Sequence, residues 1–214
     1  SKLFFCFFLL TLILNKEITY AQTQGSSAIL KQLKELHYNK QYNELIETSE
    51  NQLEKIVVKN QKDSLFRSKL LYYESIGLFE TRDDYNYLES IEKIIRSCPH
   101  TQSGDSLKAA FYNDKAYYEN SFVSVAKAYK SISTSIKLLE GLPNANPGYL
   151  MGGYLLLSSN NRYYGNVDKA KYYMRLAEDT YAKNKKEIDN NTWELNGNNH
   201  RLGVIAKYRK INMF

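Results

Sequence analysis

Two cysteines, three prolines and ten glycines are all that this 214-residue chain carries of the residues that staple, break or hinge a backbone. Cys6 lies in an N-terminal apolar run, so removal of that run leaves Cys98 with no intrachain partner. Packing, not a disulfide framework, must then hold the fold. Cys98 reads as a small, partly buried residue, with intermolecular pairing in an oxidising compartment as the alternative. No Pro/Gly/Ser-rich linker or low-complexity stretch divides the chain, and its length permits one domain with a real core. The longest apolar run, Leu3–Leu14, has twelve residues interrupted only by Thr11. That is short of the roughly 20 residues a bilayer-spanning helix needs. Catalytic signatures are missing as well: there is no GxSxG, no GxxxxGK[ST], no GxGxxG and no HExxH. His37, His100 and His200 have no His, Cys or acidic partner at ligand spacing, so neither a metal nor a cofactor is expected.

The charge points the same way. The net +6 comes from lysines and arginines spread along the chain without a tract, which fits a solvated surface and not a nucleic-acid footprint. The first 21 residues have the layout of a secretory signal peptide: Lys2, then the apolar run, then a polar stretch with the small-x-small site Thr19-Tyr20-Ala21. Cleavage before Gln22 removes Lys2, Lys16 and Glu17, and takes the formal charge from +6 to +5. Cys6 lies inside the apolar run, so it does not fit a lipoprotein cleavage point. The sequence does not begin with Met, and Thr192–Phe214 is expected to be either a lone capping helix or, as its apolar Met213-Phe214 end suggests, the start of a unit that continues in the natural protein.

What is abundant is tyrosine, nineteen of them, many in adjacent pairs such as Tyr72-Tyr73, Tyr117-Tyr118, Tyr163-Tyr164 and Tyr172-Tyr173. Equally plain is a helix–turn–helix phrase that recurs about four times. It reads most clearly at Leu155–Tyr181, with a turn at Gly165-Asn166 and a second helix carrying Val167, Ala170, Met174, Ala177 and Tyr181 on one face. The same phrase gives units at 27–60, 63–99, 105–142 and 149–185, followed by a terminal helix at 192–212. Turns are expected at Asn39-Lys40-Gln41, Arg82-Asp83-Asp84 and Glu119-Asn120-Ser121. Helices should open at Asp63-Ser64 and Asp105-Ser106, and the stretch from Gly141 to Gly148 should be the strongest break. Tyr42, Tyr85, Phe122 and Val167 each follow a turn, at intervals of 43, 37 and 45 residues. Gly152-Gly153 reads as a close-packing site, not a phosphate cradle. A repeated helical pair predicts an all-α solenoid, an architecture that presents a surface for binding.

The chain resembles the tetratricopeptide repeat family. In the fourth unit Gly165 falls at the family's turn glycine, Ala170 and Ala177 at its small second-helix positions, and Tyr154 and Leu157 at its large first-helix positions. Ala116, Val125, Tyr129 and Ile132 fit the same frame in the third unit, and Tyr72, Phe79, Leu88, Ile95 and Pro99 in the second. The units are longer than the family's 34-residue period. The resemblance implies a right-handed α-solenoid of stacked antiparallel helix pairs, about four units plus a C-terminal helix, spanning 22–214.

It also implies a concave face built from first-helix positions: Lys34, His37 and Tyr38; Tyr73, Gly77 and Glu80; Asp114, Tyr117 and Tyr118; and Leu155, Ser159, Arg162 and Tyr163. The candidate peptide-binding groove is Tyr38, Tyr73, Asp114, Tyr117, Tyr118, Arg162 and Tyr163. The family's carboxylate-clamp pattern is not reproduced. The expected function is an exported, non-catalytic module, periplasmic or extracellular, that binds a protein or peptide as a scaffold or sensory input segment. The domain order is similar to the extracytoplasmic input region of bacterial sensor kinases and regulators. The alternatives are an accessory repeat region of a larger enzyme or signalling protein whose active domain lies beyond Phe214, and a spacer that self-associates.

Overall fold

The computed structural model describes residues 25–83 and 85–190. The segment 1–21 expected to be a signal peptide, with Cys6 in it, Asp84, His200 and the terminal helix expected at 192–212 lie outside the described residues. Among the described residues every regular element is an α-helix, and there is no strand: α1 (25–38), α2 (Tyr42–Lys55), α3 (Gln61–Thr81), α4 (Tyr87–Ser97), α5 (Gln102–Phe122), α6 (Val125–Glu140), α7 (Pro147–Tyr163) and α8 (Val167–Asn190). No described helix is long and apolar enough to cross a membrane.

Helix boundaries follow local capping chemistry, which corrects several sequence expectations. Thr101, not Asp105-Ser106, opens α5, its hydroxyl oxygen accepting the Gly104 N–H at 3.0 Å. Asn60, not Asp63-Ser64, precedes α3, its Oδ1 accepting from Lys62 N at 2.8 Å and Asp63 N at 3.1 Å. Asp63 instead reaches back to the Lys59 N–H, at 2.9 Å. Asn86 caps α4 through Glu89 N, which leaves Tyr85 in the turn, where its hydroxyl donates to Ser75 Oγ at 3.1 Å. Asn146 caps α7, accepting from Gly148 N and Tyr149 N, with Pro147 in the first turn. Gly165 takes φ +76 after α7, a left-handed position that glycine fills without strain. The expected turn at Glu119–Ser121 is helix: α5 continues to Phe122, and Ser124 caps α6 through Lys127 N.

The described residues divide into two compact units, one holding 25–58 and 69–85 without Asp84, the other 59–68 and 86–190. In the first unit Leu33, Leu36, Leu45, Leu70, Tyr73 and Ile76 are buried. Gly77 lets α3 approach α2: a Cβ there would stand 2.6 Å from Ile46 Cγ1 and 3.1 Å from the Tyr42 carbonyl oxygen. Gly77, carried over as a groove position, therefore faces α2.

In the second unit α5–α6 and α7–α8 are antiparallel hairpins, with α6 packed on α7 and α5 reaching α7. Ala116, Ile132, Ile136, Met151, Tyr154, Leu157, Met174 and Ala177 form one buried cluster. Each buried aliphatic side chain contributes roughly 1.5–3 kcal/mol. A serine ties each hairpin, from second helix to first in one and from first to second in the other: Ser135 Oγ donates to the Ala109 carbonyl and Ser158 Oγ to the Ala170 carbonyl, both at 2.7 Å. Gly153 is a close-packing site, since a Cβ would stand 2.5 Å from Ile136 Cδ1. Two bonds set α5 parallel to α7: Asn113 Nδ2 donates to the Tyr149 carbonyl at 3.1 Å, and the Tyr117 hydroxyl to the Gly152 carbonyl at 2.9 Å. The carboxyl ends of α5 and α7 thus lie at one end of this unit.

Candidate binding surface

The candidate groove residues have unequal surroundings. In the first unit Tyr38 is exposed on α1, whereas Tyr73 is only 4% exposed, edge-on to His37 with ring centroids 6.3 Å apart. Tyr73 therefore packs inward and offers little face to a ligand. Burial lowers the His37 imidazole below its usual range. Leu155, also carried over, is buried in the second unit. Tyr117 is half-buried there, and its hydroxyl is held by Gly152. Asp114 and Tyr118 lie one turn apart on α5, and Ser159, Arg162 and Tyr163 one turn apart on α7.

Phe122 extends this set. Its ring lies 5.0 Å from that of Tyr118, which lies 5.0 Å from buried Tyr87, so an aromatic ladder runs from core to solvent. Phe122 is 68% exposed and is joined by exposed Val123. At the end of α7, Tyr163 is 72% exposed and meets exposed Tyr164 edge-on at 5.3 Å. Spacing places Val167 on the inward face of its helix, and Phe122 just after a turn. Both are exposed because α5 runs past the expected turn and α8 starts before its inward stripe begins.

Beneath the ladder sits an ion-pair network. Lys115 Nζ lies 3.0 Å from Glu119 and 3.1 Å from Glu92, and Ser131 donates to the other Glu119 oxygen at 2.6 Å. Burial pulls the Lys115 ammonium down, but its hydrogen bonds to Glu119 and Glu92 and their charges outweigh that and leave it raised. Residue periodicity gave no hint of Glu119, which looked like a turn acid. Lys115, four residues earlier, was the one available signal.

A second tyrosine group lies on α6, α7 and α8. Tyr154 and Tyr173 stack at 6.4 Å, Tyr172 meets Tyr173 at 5.3 Å, and the Tyr154 hydroxyl donates to Glu140 at 2.9 Å. Burial, then Glu140, push the Tyr154 phenol strongly upward. Burial and the neighbouring Tyr129, Tyr172 and Glu140 raise that of Tyr173.

Among the described residues no three His, Cys, Asp or Glu side chains converge as metal ligands. His100 is exposed near Lys108, and Cys98 is buried, its thiol raised chiefly by that burial. Compared with protein-family models, curated proteins and solved structures, the chain matches none.

Proposed function

We propose that the protein is an exported, non-catalytic binding module whose helical pairs belong to a right-handed α-solenoid of tetratricopeptide type. It captures a protein or peptide partner on the aromatic end of the second unit. The observation that carries this reading is the exposed set Phe122, Tyr163 and Tyr164, held at the carboxyl ends of two parallel, well-packed helices. Large aromatic side chains left in water on a rigid base are typical anchors for a partner. Asp114, Tyr118 and Arg162 extend the surface with charge and a further ring, and Tyr117 supports it from below through Gly152. The two consecutive antiparallel hairpins, packed side by side through α6 and α7, support the solenoid reading. The N-terminal Leu3–Leu14 run and the site at Ala21 support export.

The test is selection from a random-peptide display library on the protein and on a Phe122→Ser/Tyr163→Ser variant. Enrichment of apolar or aromatic peptides on the first and its loss on the second, with unchanged helical content, supports the reading. Equal enrichment on both, or none on either, rejects it.

A further inference from the structure

The tyrosine group around Glu140 is built like a site that the chain fills elsewhere with its own lysine. On α8 the Tyr181 hydroxyl bonds Asp189 at 3.2 Å, Lys185 pairs with the same carboxylate, and its ammonium lies 5.8 Å from the Tyr181 ring centroid. Phenol, carboxylate and cation thus complete one another. At Tyr154 and Glu140 the phenol–carboxylate bond is present at 2.9 Å, but no described lysine or arginine pairs with Glu140. Tyr173 stacks on Tyr154 at 6.4 Å and lies within electrostatic reach of Glu140, and Tyr172 meets Tyr173 at 5.3 Å.

We propose that Glu140 with Tyr154, Tyr172 and Tyr173 is a recognition site for a lysine side chain presented by a partner peptide. Glu140 is exposed and no cation among the described residues pairs with it, so the complementary occupant is a cation. Tyr172, 52% exposed, offers a ring face across which an ammonium can lie. The three N–H donors of an ammonium match a carboxylate and the neighbouring phenol oxygens. Glu140 and Tyr172 are both exposed, so a free small cation would keep much of its water, whereas a peptide brings further contacts along the helices. The net charge of +6 gives no long-range attraction for a basic partner, so capture depends on these local contacts. The site lies on α6, α7 and α8, apart from Phe122 and Tyr163, and stands or falls independently of the aromatic surface.

The experiment is an amide-resolved NMR titration of the labelled full chain with a capped peptide of alternating glycine and lysine. Its controls are the same peptide with acetylated lysines and free butylammonium. The expected result is saturable shifts at Glu140, Tyr172 and Tyr173 with the lysine peptide only. Glu140→Gln keeps an acceptor for Tyr154 and so leaves the fold intact, yet should weaken binding about fivefold. Tyr172→Ala should weaken it similarly. Equal shifts from the acetylated peptide, or unchanged affinity in Glu140→Gln, would overturn the site. Butylammonium binding as tightly as the peptide would overturn the assignment to a peptide-borne lysine.

Discussion

Removing Lys115 should damage the second unit more than removing the charge of the residue it serves. The Glu119 side chain is 4% exposed and that of Lys115 12%, so neither charge has much water. In Lys115→Met, Glu119 keeps only the Ser131 hydroxyl, and its charge is stranded in the core. Stranding one member of a buried pair costs about 3–5 kcal/mol. In Glu119→Gln, Lys115 still has Glu92 at 3.1 Å, whose side chain is half-exposed, and Ser131 still has an acceptor. The loss there is one charge-assisted contact, about 1.5–3 kcal/mol. Replacing both, Lys115→Met with Glu119→Leu, should recover most of the larger loss, because no unpaired charge is left. Urea unfolding followed by far-ultraviolet circular dichroism reads all three. The raised Lys115 fixes the sign with pH: its contribution is fully present below about pH 10.4, the ordinary lysine value, and fades as pH rises through the higher folded value. The reasoning fails if Glu119→Gln costs as much as Lys115→Met, or if the double variant is worse than either.

Two glycines make a paired test. Gly104→Ala puts a Cβ 1.9 Å from the Pro99 carbonyl oxygen, backbone that cannot yield, and should cost about 3 kcal/mol or more in thermal unfolding. Gly153→Ala meets side chains alone, Ile136 Cδ1 at 2.5 Å and Cγ1 at 3.0 Å with Asn113 Nδ2 at 3.4 Å, and regains about 1 kcal/mol of helix propensity, so its net cost should stay under about 2 kcal/mol. The raised Tyr154 phenol should remain protonated past the ordinary tyrosine value of about pH 10. Its stabilising share is complete below that pH and is lost above it as the folded value is passed, so Tyr154→Phe should delete the last phase of a phenolate absorbance titration. Phe122→Ser and Tyr163→Ser, at largely exposed side chains, should each change stability by less than about 0.5 kcal/mol, checked by denaturant midpoints.

Helix existence was legible because apolar spacing reports it directly: Ala170, Met174 and Ala177 share a face, and all three are buried. Boundaries were less so. Ser and Asp near a helix start look alike in sequence, and only geometry shows that Thr101 and Asn60 are the acceptors. Glu119 escaped because a buried charge is recognisable only with its partners, and Ser131 lies twelve residues away on another helix. Among the tyrosines, periodicity does not separate a ring that packs inward from one that faces water. The repeat frame puts Tyr73 and Tyr163 in the same groove, yet one is enclosed beside His37 and the other stands at a helix end. The Tyr154–Glu140 bond joins two helices across a turn, a pairing that no spacing rule announces.

The most direct measurement is hydrogen–deuterium exchange of the full chain with and without a peptide selected from the display library. The account predicts new protection at residues 114–122 and 159–164, with the buried stripes of α6 and α8 unchanged. Protection confined to other helices, or none at saturating peptide, would contradict it.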